Sequence, residues 1–137
     1  MSLGIPLNTD STLKGQTVFL AERCGELIQD NIITDRTVFD VMAFTMNAKS
    51  IPYQDKEAFE TYASEFIREY DYIFYISPHG IEIEDNGIRE TDEHYRDLID
   101  FTITTLIKRH GHKAGKIEKI SGSTEERIQQ ILNITNL

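Results

Sequence analysis

The sequence has one cysteine, Cys24, and no tryptophan among 137 residues. A single thiol excludes an intramolecular disulfide and any multi-cysteine zinc site, and it fits a reducing compartment. Long hydrophobic runs are missing too. The longest apolar stretch is a few residues, against the roughly 20 that a membrane-spanning helix needs. Basic charge is scarce: 14 lysines and arginines face 23 acids, for a formal net charge of −9. That balance argues against a broad nucleic-acid footprint, while a local basic pocket for one small phosphate ligand stays compatible with it. No charged region followed by an apolar core opens the chain, so no export signal is visible. These absences together point to an acidic cytoplasmic protein with neither a nucleic-acid nor a membrane partner.

What is present is globular. The composition is 39% hydrophobic and 27% charged, too apolar for a disordered chain. The length suits a single domain over residues 1–137 that can bury roughly two-thirds of its unfolded surface. No internal repeat or low-complexity tract divides it.

Periodicity then sets the order of elements. Leu13, Thr17, Leu20, Cys24, Leu27 and Ile28 fall on one helical face, with Asp10, Ser11 or Thr12 placed to cap it. The β-branched run Asn31-Ile32-Ile33-Thr34 reads as a buried strand. A helix from about Thr37 to Lys49 follows, apolar nearly all round and therefore buried. Phe59, Tyr62, Ala63, Phe66, Ile67 and Tyr70 mark the inner face of a helix over 54–70. Tyr72 to Ser77 is a continuous apolar strand.

Residues 78–91 read as a flap with a tight turn at Asp85-Asn86-Gly87. A helix runs from Asp92 to about His110, with Tyr95, Leu98, Ile99, Ile103, Leu106 and Ile107 inward and Gly111 ending it. Lys116 to Ile120 is a further strand. Ser123-Thr124-Glu125-Glu126 is a capping box opening a last helix with Ile128, Ile131 and Leu132 inward. Strands alternating with helices predict an α/β fold with a mostly parallel short sheet flanked by helices. Ligands of such sheets sit beyond the carboxyl ends of the strands. That rule would gather Asp35-Arg36, Ser77 to Arg89, and Ser121-Gly122-Ser123.

Each motif has a plain structural alternative. An acid leaving a strand, such as Asp35, can hold a magnesium-bound water or take a hydroxyl proton, and the Arg36 fork can grip phosphate. The plain alternative is a helix cap and a surface ion pair. Glu82, Glu84, Asn86, Gly87 and Glu93 fall in a calcium-loop register. A Glu at the first position, Arg89 at a normally apolar one and a preceding strand all depart from that pattern. Arg89 on the flap is a cation able to close over phosphates, or an ion-pair partner of nearby carboxylates. Gly111 to Lys116 is one residue short of a phosphate loop and runs from helix to strand, the wrong direction for one. His110 and His112 read as a helix-end cation and a turn residue. His79 and His94 lack any catalytic context. Cys24 reads as a small core residue.

Several blocks, taken in order, resemble P-loop NTPases of the AAA type related to the ribosylnicotinamide kinase domain of the bacterial NAD regulator. They are Ile32-Ile33-Thr34-Asp35-Arg36-Thr37 with Asp40, the strand start Tyr70-Asp71-Tyr72-Ile73-Phe74, Glu84-Asp85-Asn86-Gly87-Ile88-Arg89 before an acidic helix start, and Ser123 to Ile131. The resemblance implies a three-layer fold, incomplete at its N-terminus, because the family's first strand and its G-x4-G-K-[ST] loop have no counterpart here. It implies phosphoryl transfer from ATP with Mg2+ to a nucleoside-like small molecule in a full-length form. Asp35 would serve as the metal or acceptor-hydroxyl partner, and Arg36 as the acceptor-site cation. Arg89 would be the lid cation, while Ser121, Gly122 and Ser123 would border the adenine. Losing the loop removes the main anchor for triphosphate, so the expectation is a chain without kinase or ATPase activity. The alternative is a non-catalytic α/β interaction module acting as a homodimer or in a complex, because unpaired strand edges favour association.

Overall fold

The computed structural model describes residues 8–78 and 93–137. A 3-10 turn at Asn8–Asp10 precedes α1 (Leu13–Leu27), α2 (Val38–Met46) and α3 (Tyr53–Ala63). A 3-10 stretch, Ser64–Glu69, leads into β1 (Tyr72–Ile76). Then come α4 (Glu93–His110), a 3-10 turn at Gly111–Lys113, β2 (Lys116–Ile120) and α5 (Thr124–Thr135). The described part is mixed α/β and mostly helical, with a two-stranded parallel sheet.

α2 is the centre of the core. Thr37 caps it: its hydroxyl accepts from the Phe39 amide at 3.1 Å, and its own N–H donates to Asp40 Oδ2 at 2.8 Å. Two orphan donors of the first turn are satisfied in this way. Val38, Met42 and Ala43 are 0% exposed and Phe39 is 2% exposed. Burying a side chain of that size stabilises by about 2–3 kcal/mol relative to leaving it in water. α1 lies against α2, bringing buried Gln16 Oε1 to 3.4 Å from the Thr45 hydroxyl. α4 lies along α2 as well, and Asn47 Nδ2 donates across to Thr102 Oγ1 at 2.9 Å.

The sheet pairs in register from Tyr72 opposite Lys116 to Ile76 opposite Ile120. Ile73 and Ile117 face the helical core together with Ile99 and Leu106 of α4. Period-two alternation turns Tyr72, Phe74 and Ile76 the other way. At the amino end the two strands start side by side because Gly115 has no side chain. Its N–H donates to the Tyr70 carbonyl at 2.9 Å, and a Cβ there would lie 2.4 Å from the Asp71 carbonyl oxygen. This accounts for the glycine of the rejected phosphate-loop pattern.

Four expectations need correction. Asn31 to Thr34 is no strand: Ile33 is 93% exposed and Ile32 38%, and left-handed residues bracket the run at Asn31 (φ 53°) and Arg36 (φ 77°). β-branched composition favours extended backbone, but a strand also needs a hydrogen-bonding neighbour. Next, the expected helix over 54–70 changes pitch after Ala63. Ile67 and Tyr70 beyond the change are still buried, whereas Tyr62, within the α-helical part, stays outside at 65% exposure, edge-on to Phe66. In α4, Leu98 is exposed and its inner face narrows to Ile99 and Leu106, with Tyr95, Ile103 and Ile107 half-buried. In α5 the expected inner residues Ile128 and Leu132 are 51% and 38% exposed, and none of its residues is buried.

Candidate functional site

Asp35 and Arg36 occupy an exposed turn between α1 and α2. The left-handed backbone of Arg36 costs about 1 kcal/mol for a residue with a Cβ. The Thr34 hydroxyl supports it by donating to the Arg36 carbonyl at 2.9 Å. The Arg36 guanidinium carbon stands 5.9 Å from the centroid of the Phe44 ring, a cation–π contact. Arg23 donates to the Asp35 carbonyl at 3.1 Å and pairs with Glu26 at 2.7 Å. Asp40 is spent on the cap of α2. Burial raises its carboxyl above the usual range, against the lowering effect of the Thr37 amide and Arg36.

The loop Ser121 to Ser123 lies past the carboxyl end of β2, and its polar groups are engaged. Gln130 clasps Ser121, accepting from its N–H at 3.2 Å and donating to its carbonyl at 2.6 Å. The Ser123 hydroxyl accepts from the Glu126 amide at 3.1 Å, and Glu126 Oε1 accepts from the Ser123 N–H at 3.2 Å. Gly122 sits at φ 99° with the Glu126 carboxylate packed against it. A carboxylate of the protein itself therefore occupies the start of α5, where an anionic ligand would otherwise be attracted.

No hydrogen bond or ion pair joins the acid-arginine turn to this loop among the described residues. Val38, two residues past Arg36, donates its amide to the Tyr70 hydroxyl at 3.3 Å, and Tyr70 precedes β1. Burial pushes that phenol up to about 12. One half of the expected site is thus tied near the amino end of the sheet, and the other follows its carboxyl end. Arg89 and the flap residues Glu82, Glu84, Asn86 and Gly87 lie outside the described residues, as does His79. Glu93 is exposed at the start of α4. Among the described residues no three His, Cys, Asp or Glu side chains gather as a metal site around Asp35 or elsewhere.

Two polar clusters escaped the sequence. Arg109 Nη1 lies 2.8 and 2.7 Å from the two oxygens of Glu60, and His110 Nε2 lies 2.7 Å from Oε2. Burial works against the Glu60 charge, but the bonds from Arg109 and His110 outweigh it and hold the carboxyl below its ordinary range. The cluster clamps α3 to the end of α4. The terminal cations were legible as dipole partners of α4, whereas their acid sits 49 and 50 positions away in the chain. The second cluster joins Tyr75 of β1 to Asp100 of α4, the Tyr75 hydroxyl donating to Asp100 Oδ1. Burial, with the Asp100 bond adding to it, pushes this phenol up to about 12, which suits a donor in a fixed brace and not a base. Cys24 is half-buried on α1, where burial raises its thiol.

The apolar surface has far fewer partners. Ile28 and Ile33, 86% and 93% exposed, lie close together in the chain after α1. Tyr72 and Ile76 are 41% and 40% exposed on one face of β1, and the Tyr72 and Phe74 rings stack with centroids 6.2 Å apart. Among the described residues, no helix is long and apolar enough to cross a membrane. No protein-family model, curated protein or solved structure matches the chain.

Proposed function

We propose that this chain works by binding and not by catalysis, as an α/β interaction module that acts as a homodimer or within a complex. The observation behind this reading is the contrast between its polar and apolar surface groups. Glu60, Asp40, Tyr75 and the Ser121–Ser123 loop are engaged internally, while large apolar side chains on β1, on α5 and after α1 face solvent. Large apolar side chains left in solvent can serve as surfaces that meet another molecule. Calorimetric titration with ATP and Mg2+, paired with mass measurement over a range of concentrations, tests the proposal. Absent heat together with a concentration-dependent rise in mass supports it. Micromolar nucleotide binding overturns it.

A second reading keeps the resemblance to nucleoside-kinase-type P-loop NTPases with their three-layer architecture. The parallel β1–α4–β2 crossover followed by the capped α5 favours it, because the order matches the strand, lid, strand and helix of those enzymes. On that reading a full-length form would use ATP and Mg2+ on a nucleoside-like acceptor in the cytoplasm, with Asp35 as the metal or acceptor-hydroxyl partner, Arg36 as the acceptor-site cation and Arg89 as the lid cation. On either reading the present chain is expected to show no magnesium-dependent turnover. Turnover by the purified chain that is lost on Arg36→Ala would overturn the expectation of inactivity and remove the first reading.

A further inference from the structure

We propose that two copies of this chain pair antiparallel along the outer edge of β1 about a two-fold axis at Phe74, forming one continuous four-stranded sheet. The inference rests on the interaction-module reading and names its surface. Among the described residues β1 has a strand neighbour on one side alone, and its backbone forms ladder bonds only with β2. The two outer edges differ in chemistry. β1 reads Tyr-Ile-Phe-Tyr-Ile and carries no charge, while β2 reads Lys-Ile-Glu-Lys-Ile.

Self-pairing about the centre of β2 would set Glu118 against Glu118 of the second copy, a direct like-charge contact that destabilises a sheet. Self-pairing about the centre of β1 sets Phe74 against Phe74, Tyr72 against Ile76 and Ile73 against Tyr75. All are aromatic or aliphatic pairs, the kind that stabilises neighbouring strands. A chain of net charge −9 repels its own copies over most of its surface, so an uncharged strip is where two copies can approach. The half-exposed Tyr72 and Ile76 lie on that strip, beside the stacked ring of Phe74. The two-fold arrangement also closes, whereas joining β1 of one copy to β2 of the next would propagate without end. Lysines at two of the five β2 positions guard against that second mode.

Sedimentation equilibrium of the intact chain over about 1–200 µM tests the pairing. The expected result is a monomer–dimer equilibrium in which Tyr72→Lys or Ile76→Lys raises the Kd at least about tenfold, while Glu118→Gln changes it less than about twofold. If either lysine variant fails to fold, hydrogen exchange of the unaltered chain supplies the readout: amides of β1 gain protection as concentration rises, and those of α1 do not. A chain monomeric throughout overturns the pairing, as does a dimer indifferent to both lysine variants or one without added β1 protection. The indifferent dimer would leave the interaction-module reading standing. Nucleotide binding in the separate titration would remove that reading whatever the mass showed.

Discussion

α2 and α5 carry equally clear local signals and meet opposite fates. Each opens with a capping box, Thr37 with Asp40 and Ser123 with Glu126. α2 buries six of its nine residues, and α5 buries none of twelve. Capping and periodicity decide that a helix forms and which face is apolar. What covers that face depends on segments far away in the chain. Around α2 three helices supply the cover; beside α5 the main neighbour among the described residues is β2. The difference separates a tightly packed centre at α2 from a peripheral α5 whose apolar residues Ile128 and Leu132 stay partly in solvent.

Substitutions can break this contrast, beginning with the core. Met42→Ala, at a side chain with 0% exposure, is expected to lower unfolding free energy by about 3 kcal/mol through lost burial and a residual cavity. Chemical denaturation measures it, and a loss below about 1 kcal/mol would mean that α2 is not the centre of the core. Gly115→Ala comes next, at about 2 kcal/mol, because its methyl group meets a backbone carbonyl that cannot turn aside.

Glu60→Gln should cost about 1 kcal/mol at neutral pH by weakening the α3–α4 clamp, and it carries a pH signature. The folded carboxyl is held below its ordinary value, so its contribution is full above the unfolded pKa and fades as pH falls through the folded one. The parent should therefore lose more thermal stability between neutral pH and about pH 3 than Glu60→Gln does. Parallel curves for the two proteins would remove Glu60 from the acid response. The smallest effect belongs to Leu132→Ala in α5, expected within about 0.5 kcal/mol beyond helix propensity. A loss comparable to that at Met42 would show that α5 is covered in solution, and the contrast would dissolve.

Much of the fold was legible in the sequence. The apolar run of β1, the helical periodicity of α1 and α4, the Ser123 capping box and the stop at Gly111 all encode structure within a few residues of themselves, although Thr17 and Leu98 of the expected inner faces and Ile28 beyond α1 face solvent. The strand expected at Asn31 to Thr34 failed because β-branched side chains favour extension but supply no partner. Tyr62 fell on the wrong side because helical spacing marks a broad apolar face, and only Phe59 and Ala63 of this part of it find cover. The expected site rested on an assembly that no local signal could supply. Asp35-Arg36 and Ser121–Ser123 were joined by a rule about strand ends, and that rule lost its ground once the segment before Asp35 was not a strand. The Glu60 clamp was invisible for the converse reason: its members are distant in sequence and each is ordinary alone.

The register of the sheet has a kinetic corollary. Every pairing, from Tyr72 with Lys116 to Ile76 with Ile120, joins positions 44 apart in the chain. A loop of that length must close before the first inter-strand bond is rewarded. α1, α2 and α3 can gather through nearer contacts, but α4 joins them across spans of 49 from Glu60 to Arg109 and 55 from Asn47 to Thr102, so the strands pair no earlier than the long-range closures of the fold. During refolding there is thus an interval in which Tyr72–Ile76 waits unpaired, and in a crowded solution the first strand it meets can belong to a neighbouring molecule.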